Sequence, residues 1–144
     1  MPDGKRIVTA EVRFPRIWDP ESGKELHKLG GGYFTIPSPD GKRIITTVWD
    51  DKIALIWDTE SGNELQRLTG HANRIVSAAF SADGKKVVTA SHDYTARIWD
   101  ANTGKELHTL TGHTEEVYSV AFLPDGKRVL TASRDNTARI WTLE

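Results

Sequence analysis

Two short segments carry residue types that hydrolytic enzymes use. The segment TASHDYTARIWD at 89–100 places a hydroxyl, an imidazole and a carboxylate within five residues, at Thr89, His92 and Asp93. Hydrolases use a hydroxyl, a histidine and an orienting aspartate for acyl transfer. The segment TASRDNTARIWT at 131–142 repeats the pattern with arginine in place of histidine. This repetition favours a scaffold, because catalysis needs one exposed nucleophile and one oxyanion hole.

The composition of the chain excludes several functional classes. The 144 residues include 20 acidic and 19 basic side chains, so we expect no binding to nucleic acid or to acidic membranes. The absence of cysteine excludes disulfides and thiolate chemistry, and it fits a cytoplasmic protein. No apolar run is long enough to span a membrane, and the N-terminal segment lacks the pattern of a signal peptide. We therefore expect a single cytoplasmic domain over 1–144.

The histidines do not have the spacing of a metal site. No two of them show the i, i+4 spacing of a zinc site on one element. The glycines at 30–32 precede no helix, so they do not predict a phosphate-binding loop. We therefore predict no metal and no cofactor. The five histidines are His27, His71, His92, His108 and His113.

Three markers recur along the chain with one approximate period. They are a tryptophan followed by Asp or Thr, the glycine of an Asp-Gly-Lys turn, and the glycine of a Ser-Gly or Thr-Gly pair. Each marker recurs after 37 to 43 residues. A period of this length is typical of a repeat architecture. The markers fall at Trp18, Trp57, Trp99 and Trp141, at Gly4, Gly41, Gly84 and Gly126, and at Gly23, Gly62 and Gly104.

Each unit has the alternation and the turn chemistry of antiparallel strands. In the third unit, runs rich in Val, Ile, Thr and aromatic residues predict strands a, b, c and d at 75–80, 85–91, 95–99 and 105–110. Asp-Gly and Thr-Gly turns separate a from b and c from d. Four short strands in a unit of about 40–45 residues predict one blade of a β-propeller, so the fold class is all-β.

These motifs give the chain a family resemblance. The Gly-His dipeptides at 70–71 and 112–113, the Ile-Trp-Asp motifs and the turn segments AFSADGKK and AFLPDGKR resemble those of the WD-repeat β-propeller family. The uniformity of the repeats is similar to that of bacterial tandem WD repeats. The resemblance covers essentially the whole chain, and the third and fourth repeats match most closely.

The family implies a structural tetrad in each well-formed repeat. A His of Gly-His, a Ser or Thr of strand b, an Asp of the b–c turn and the Trp of strand c form a hydrogen-bonded chain. Thr89 is taken for the third repeat by counting four residues back from Asp93, although Ser91 lies on the same strand face. A structural role follows, because a buried indole N–H without a partner costs roughly 1–3 kcal/mol. The implied sets are His71, Thr89, Asp93 and Trp99, and His113, Thr131, Asp135 and Trp141.

The first two repeats and the end of the last repeat depart from this pattern. The second repeat lacks Gly-His but keeps Thr47, Asp51 and Trp57, which predicts an incomplete tetrad. The first repeat has no strand a, and the last has no strand d. We therefore predict strands bcd, abcd, abcd and abc, which is 14 strands or about 3.5 blades. The repeats cover approximately 1–29, 30–68, 69–110 and 111–144.

A chain of 3.5 blades raises the question of closure, because a propeller closes with about four to eight blades. The chain is therefore either a fragment of a larger ring or a module that assembles with itself. A symmetric pair must have an even number of blades, which excludes seven. We expect a homodimer of eight blades. The alternative has six blades, with strand d of the first repeat completing the partner's last blade.

The family further implies that the d–a and b–c loops form a face that binds other proteins. Aromatic side chains dominate many interfaces, so Trp49 and Tyr94 are candidate anchors. We predict a non-catalytic interaction or scaffold module with an unidentified protein partner. Two alternatives remain: an engineered or fragmentary propeller that only folds and assembles, and a propeller enzyme or sugar-binding ring with a central-channel site. The loop residues are Tyr33, Trp49, Asn73, Arg74, His92, Tyr94, Glu115, Glu116, Arg134 and Asn136.

Overall fold

Four antiparallel sheets make up the computed structural model, which describes residues 1–11, 13–47 and 52–143. The sheets follow one another along the chain, and we call them blades 1 to 4. Blade 1 comprises β1 (Ile7–Thr9), β2 (Arg16–Trp18) and β3 (Glu25–Lys28), and blade 2 comprises β4 (Phe34–Pro37), β5 (Arg43–Thr47), β6 (Ile53–Asp58) and β7 (Glu64–Thr69). Blade 3 comprises β8 (Ile75–Phe80), β9 (Lys86–Ser91), β10 (Ala96–Asp100) and β11 (Glu106–Leu110), and blade 4 comprises β12 (Val117–Phe122), β13 (Arg128–Ser133) and β14 (Ala138–Thr142).

This arrangement confirms the predicted fold class. The described residues form 14 strands grouped as bcd, abcd, abcd and abc, as the sequence predicts. In blade 3 each strand begins and ends within one residue of its predicted bounds. All strand pairs within the blades are antiparallel, and consecutive strands are neighbours.

The Asp of the Ile-Trp-Asp motif closes the turn between strands c and d. Asp100 accepts hydrogen bonds from the backbone N–H groups of Asn102 over 2.9 Å and Thr103 over 2.8 Å. The hydrogen bonds from Thr103 and Asn102 lower the pKa of Asp100, so the acceptor stays ionised. Gly104 then adopts φ 71°, a left-handed conformation that glycine reaches without a Cβ clash. This turn returns strand d against strand c.

The hydrophobic core lies between the blades, and equivalent positions form it at each junction. Alternate residues of strand c point to opposite faces of a blade. One face carries the motif Trp and is called the Trp face, and the other carries the preceding Ile and is called the Ile face. At each junction the Ile face of one blade packs on the Trp face of the next. The three pairs are Ile17 with Trp57, Ile56 with Trp99, and Ile98 with Trp141.

Arginines at the start of strand b, or directly before it, join the rims of adjacent blades. Arg43 of blade 2 donates to the carbonyl oxygens of Gly84 over 2.5 Å and Ala101 over 3.3 Å, both in blade 3. Arg6 holds the equivalent place in blade 1 and donates to Thr59 Oγ1 of blade 2 over 3.1 Å. These polar contacts at the rim supplement the apolar packing between the blade faces.

Candidate functional site

Four side chains of blade 3 form a continuous chain of hydrogen bonds. Trp99 Nε1 donates to Thr89 Oγ1 over 2.8 Å, and Thr89 Oγ1 lies 2.7 Å from His71 Nε2. His71 Nδ1 lies 2.7 Å from Asp93 Oδ2. A neutral imidazole with its proton on Nδ1 satisfies every group, because Thr89 then donates to Nε2 and the Nδ1–H donates to the carboxylate. The structure thus brings together the four residues of the implied set.

The carboxylate of Asp93 connects the segment before strand a to the b–c turn. It accepts hydrogen bonds from the backbone N–H of Ala72 over 3.0 Å and from Thr95 Oγ1 over 2.6 Å. Burial by itself raises the pKa of Asp93, but the hydrogen bonds from His71, Thr95 and Ala72 outweigh it and hold the pKa well below the usual value. Asp93 is therefore an anionic acceptor at neutral pH.

Blade 4 repeats the same chain of hydrogen bonds. Trp141 Nε1 donates to Thr131 Oγ1 over 2.9 Å, and His113 lies 2.7 Å from both Thr131 Oγ1 and Asp135 Oδ2. The hydrogen bond from the Thr137 hydroxyl is the largest effect on the pKa of Asp135. Burial opposes it, the bond from His113 adds to it, and the pKa lies well below its ordinary value. The second implied set is therefore also assembled.

The environment of these groups favours a structural role over hydrolysis. Thr89 and Thr131 are both fully buried, and each hydroxyl lies between an indole N–H and an imidazole. A nucleophile must reach its substrate, so a hydroxyl enclosed in this way is unsuited to acyl transfer. What the network supplies is a hydrogen-bond partner for each of its own buried polar groups: the indole N–H, the threonine hydroxyl and the imidazole.

Blade 2 corrects one predicted residue. Trp57 Nε1 donates to Thr46 Oγ1 over 2.9 Å, and Thr46 donates to the carbonyl oxygen of Gly30 over 2.9 Å. The prediction of Thr47 is therefore wrong. The hydroxyl of Thr47 is buried without a hydrogen-bond partner in the described part of the chain. Asp51, the remaining predicted member, lies outside the described residues.

The strand register explains the error. Thr46 lies opposite Leu55 in blade 2, as Thr89 lies opposite Arg97 in blade 3, so the two threonines are equivalent. The interval from threonine to tryptophan is 11 residues in blade 2 and 10 residues in blade 3. Counting back from Asp51 therefore reached one residue too far along strand b.

A different interval identifies the threonine in every blade. The glycine of the Asp-Gly turn precedes it by five residues, because the turn and strand b have constant lengths. This count gives Thr46 from Gly41 and Thr9 from Gly4. Thr9 was not predicted, yet it accepts the indole N–H of Trp18 over 2.9 Å in blade 1.

The predicted loop residues of blade 3 form a small polar cluster. Arg74 Nε donates to His92 Nδ1 over 3.1 Å, and the carbonyl oxygen of Asn73 accepts the hydroxyl of Ser91 over 2.9 Å. Burial, followed by the positive charge of Arg74, lowers the pKa of His92, while Glu116 of blade 4 opposes this effect. His92 is therefore a neutral acceptor near neutral pH, and it takes no part in the tetrad.

The equivalent residues of blade 4 form a second polar cluster. Glu116 forms an ion pair with Arg134 at 3.7 Å, and the carbonyl oxygen of Glu115 accepts the hydroxyl of Ser133 over 3.1 Å. In blade 3 the matching pair is the cationic Arg74 and the imidazole of His92, which are joined by a hydrogen bond without an opposing carboxylate. The loop surfaces of the two blades therefore differ in charge.

Three further loop residues are placed by the structure, and one lies outside it. Tyr94 and Asn136 occupy the same turn position, with φ 73° and 64°, and the side chain of Tyr94 is exposed. Tyr33 is exposed too, and its ring packs edge-on against Phe34 at 6.2 Å between centroids. Trp49 lies outside the described residues.

The strand order, the packing of Ile faces on Trp faces and the two tetrads define the blades of a β-propeller. The family model described as WD domain, G-beta repeat matches residues 62–100 and 104–142, which is more than half of the chain. The chain therefore belongs to the WD-repeat family. A search of the curated proteins found no match. Repeats of this family generally mediate protein–protein interaction or scaffolding, and they are typically non-catalytic.

The described ranges contain neither a membrane-spanning helix nor a cluster of metal-ligating side chains. Within residues 1–11, 13–47 and 52–143, no helix has the length and apolar character needed to traverse a bilayer. The same ranges contain no group of three or more His, Cys, Asp or Glu side chains arranged around a common point that would suit a metal ion.

Proposed function

We propose that the chain is a non-catalytic scaffold that associates with a second copy of itself and closes a propeller ring of eight blades. The carrying observation is that two blade faces are exposed, the Ile face of blade 4 and the Trp face of blade 1. They belong to the two types that pack on each other at the three internal junctions.

The Ile face of blade 4 has apolar side chains in contact with solvent. Ile140 is 60% exposed and Leu130 is 37% exposed. Their counterparts in blade 3, Ile98 and Val88, are fully buried against blade 4. Exposed apolar patches of this kind mark interaction surfaces in soluble proteins.

The Trp face of blade 1 is the complementary surface. Ile7 lies opposite Trp18 in the sheet and is 49% exposed. The equivalent residue in blade 3, Val87, lies opposite Trp99 and is fully buried against blade 2. A copy that brings its blade 4 to the blade 1 of another therefore repeats the internal junction. Two copies related by a twofold axis along the channel form this junction twice and close the ring.

Light scattering coupled to size-exclusion chromatography tests this assembly. We expect twice the chain mass of 16.1 kDa for the wild type and the monomer mass for Ile140→Asp. Leu107→Asp is the matched control, because Leu107 is an exposed aliphatic side chain of the same size as Ile140 but lies on strand d of blade 3. A wild type that stays monomeric at micromolar concentration contradicts the proposal, as does a mass that grows without limit with concentration.

Amide hydrogen exchange of the dimer distinguishes an eight-bladed ring from a six-bladed ring. In the eight-bladed ring β1 and β2 stay paired with β3, so their amides are protected as in the structure. In a six-bladed ring β3 leaves its own blade, and the amides of β1 and β2 exchange rapidly. Rapid exchange in these two strands would overturn the eight-bladed arrangement while leaving self-association intact.

We place the binding of other proteins on the loop face of blades 3 and 4. The exposed ring of Tyr94 supports this, because its left-handed backbone conformation costs a residue other than glycine roughly 1–2 kcal/mol. Asn136 fills the same turn position in blade 4, so Tyr94→Asn retains the turn and removes only the aromatic ring. Proteins that bind to the immobilised wild-type chain but not to the immobilised Tyr94→Asn variant are the expected partners. Identical retention by both would contradict this use of the face.

A further inference from the structure

The first residue of strand b differs between blades 2 and 3, and it faces the turn between strands a and b of the next blade. Arg43 begins β5, and Lys86 begins β9. Arg43 donates to the carbonyl oxygens of Gly84 and Ala101 in blade 3. Its guanidinium also lies 5.5 Å from the centroid of the Phe80 ring. One planar cation thus contacts two carbonyl oxygens and an aromatic face of the next blade.

Blade 4 offers the same two carbonyl oxygens to blade 3. Gly126 is the counterpart of Gly84, because the N–H of each donates to the carbonyl oxygen three residues earlier. Leu143 is the counterpart of Ala101, because the N–H of each donates to the carbonyl oxygen of the lysine that follows the turn glycine. Among the residues that the structure describes, no hydrogen bond joins Lys86 to either oxygen. The two acceptors are therefore open, although an ammonium group is tethered beside them.

The turn of blade 4 is also less covered than that of blade 3. Gly84 is buried, and a Cβ placed on it would lie 3.2 Å from Arg43 Nη2. Gly126 is half-buried, and in the described part of the chain a Cβ placed on it would meet nothing within 4 Å. A cleft of about 210 Å³ lies here, lined by residues that include Lys86, Asp83 and Gly126. The space that an arginine fills at one junction is thus open at the next.

The charges around the cleft are compatible with a bound cation. Asp83 lines it from blade 3, and Asp125, which pairs with an arginine of its own turn, lines it from blade 4. Hydrogen bonds from Ser81 Oγ and from the backbone N–H of Lys85 lower the pKa of Asp83, so this carboxylate is ionised at neutral pH. The two carboxylates offset the positive charge of Lys86, whose flexible stem lets the ammonium turn towards solvent.

We propose that the cleft between the a–b turns of blades 3 and 4 binds an arginine side chain of another protein. The guanidinium donates to the carbonyl oxygens of Gly126 and Leu143. It lies over Phe122, which holds the place of Phe80 in the strand register. The a–b turns lie at the opposite end of the strands from the b–c loops, so this site is separate from the loop face that carries Tyr94. It belongs to an internal junction and does not rest on ring closure.

An amide NMR titration of the intact chain tests the site, with Nα-acetyl-arginine amide as the probe. We expect the Gly126 amide signal to shift saturably, with a dissociation constant of about 1–10 mM for so small a ligand. Nα-acetyl-lysine amide should bind about tenfold more weakly or worse, because an ammonium is a point charge and lacks the planar fork that serves two acceptors at once.

Replacement of Lys86 gives the decisive variants. Lys86→Arg places a guanidinium in the cleft as Arg43 does at the preceding junction, so it should weaken binding of the probe by about tenfold or more. Lys85→Arg is the matched control, because Lys85 is the adjacent, exposed lysine of the same turn, and it should leave binding unchanged. Lys86→Ala removes the tethered ammonium and should bind the probe at least as tightly as the wild type does.

The outcome is independent of the proposed assembly. Ile7→Asp, which opens the proposed ring in blade 1, should bind the probe as the wild type does, so the two proposals fail separately. No saturable shift of the Gly126 signal up to about 50 mM probe would overturn the arginine site. Equal affinity of the wild type and Lys86→Arg, or equal affinity of the wild type for the arginine and lysine probes, would overturn it too.

Discussion

The indole N–H of Trp57 donates to Thr46 Oγ1 over 2.9 Å, while the hydroxyl of the adjacent Thr47 is buried with no hydrogen-bond partner in the described ranges. Two neighbouring threonines of one strand therefore make opposite contributions to stability. The first satisfies a tryptophan and a backbone carbonyl, and the second carries a polar group into the blade without compensation.

This pair gives the first prediction. Thr46→Val leaves the Trp57 N–H and the Gly30 carbonyl without their partner and should destabilise the protein by about 1–3 kcal/mol. Thr47→Val has nearly the same shape and removes an unpartnered hydroxyl, so it should stabilise by about 1 kcal/mol. Urea unfolding measures both, and effects of the same sign would contradict the assignment of Thr46.

The tetrad threonine of blade 3 gives the second prediction. Thr89→Val breaks the bonds to both Trp99 and His71 in a buried setting and should cost about 2–3 kcal/mol. Thr9→Val is the matched control, because its bond to Trp18 is exposed and should be worth less than about 1 kcal/mol. Urea unfolding measures both variants, and equal losses of unfolding free energy would show that burial does not strengthen the contribution of the network to stability.

The third prediction concerns acid. The folded-state pKa of Asp93 lies below its unfolded value of about 3.9, so the carboxylate stabilises the fold fully above that pH. The contribution is lost as pH falls below about 4 towards the folded-state pKa. The stability difference between wild type and Asp93→Asn should therefore be constant near neutral pH and narrow below about pH 4. Asp135→Asn should behave alike, because its pKa is also lowered. A difference that is independent of pH down to 3 would refute the linkage.

The fourth prediction concerns the rim arginines. Arg43 bridges blades 2 and 3, whereas Arg128, its counterpart in blade 4, pairs with Asp125 of its own turn at 2.6 Å. In the proposed ring Arg128 would reach the Gly4 carbonyl of the next copy. Arg128→Ala should raise the dimer dissociation constant by about tenfold in sedimentation equilibrium, since a charged hydrogen bond is lost. Arg134→Ala on the loop face should not change it, and an unchanged constant for Arg128→Ala would argue against this junction.

The fifth prediction uses the turn position shared by Tyr94 and Asn136. Tyr94→Asn should stabilise the protein by about 1 kcal/mol, because asparagine tolerates a left-handed backbone better than tyrosine does. Asn136→Tyr should destabilise it by a similar amount. Thermal unfolding of the two reciprocal variants measures the effect, and shifts of equal sign would mean that backbone strain is not its source.

The sequence predicted the features that depend on local periodicity. Alternation within strands and turn glycines placed the strands of blade 3 within one residue, since strand pairing across short turns fixes the register. The choice between Thr89 and Ser91 needed coordinates, because both lie on one strand face. Ser91 instead accepts the Asp93 N–H and donates to the Asn73 carbonyl.

What the sequence could not predict depends on contacts between blades and on loop length. The b–c connection is one residue longer in blade 2 than in blade 3. Counting four residues back from Asp51 therefore gives Thr47 instead of Thr46. The hydrogen bond between Arg74 and His92 depends on the paths of two loops that no periodic pattern records. The Arg139 guanidinium lies beside Gly112 as the Arg97 guanidinium lies beside Gly70. This placement depends on side-chain geometry that no periodic pattern records.

The constant interval of five residues from the turn glycine to the threonine has a consequence for engineering. Because the Asp-Gly turn and strand b fix the position of the threonine that accepts the indole N–H, the length of the b–c connection can vary. The interval from threonine to tryptophan is 9 residues in blade 1 and 11 in blade 2, and the indole still finds its hydroxyl in both. Foreign recognition loops could therefore be grafted between strands b and c of blade 1, whereas in blades 3 and 4 the same connection carries Asp93 and Asp135 and must keep them.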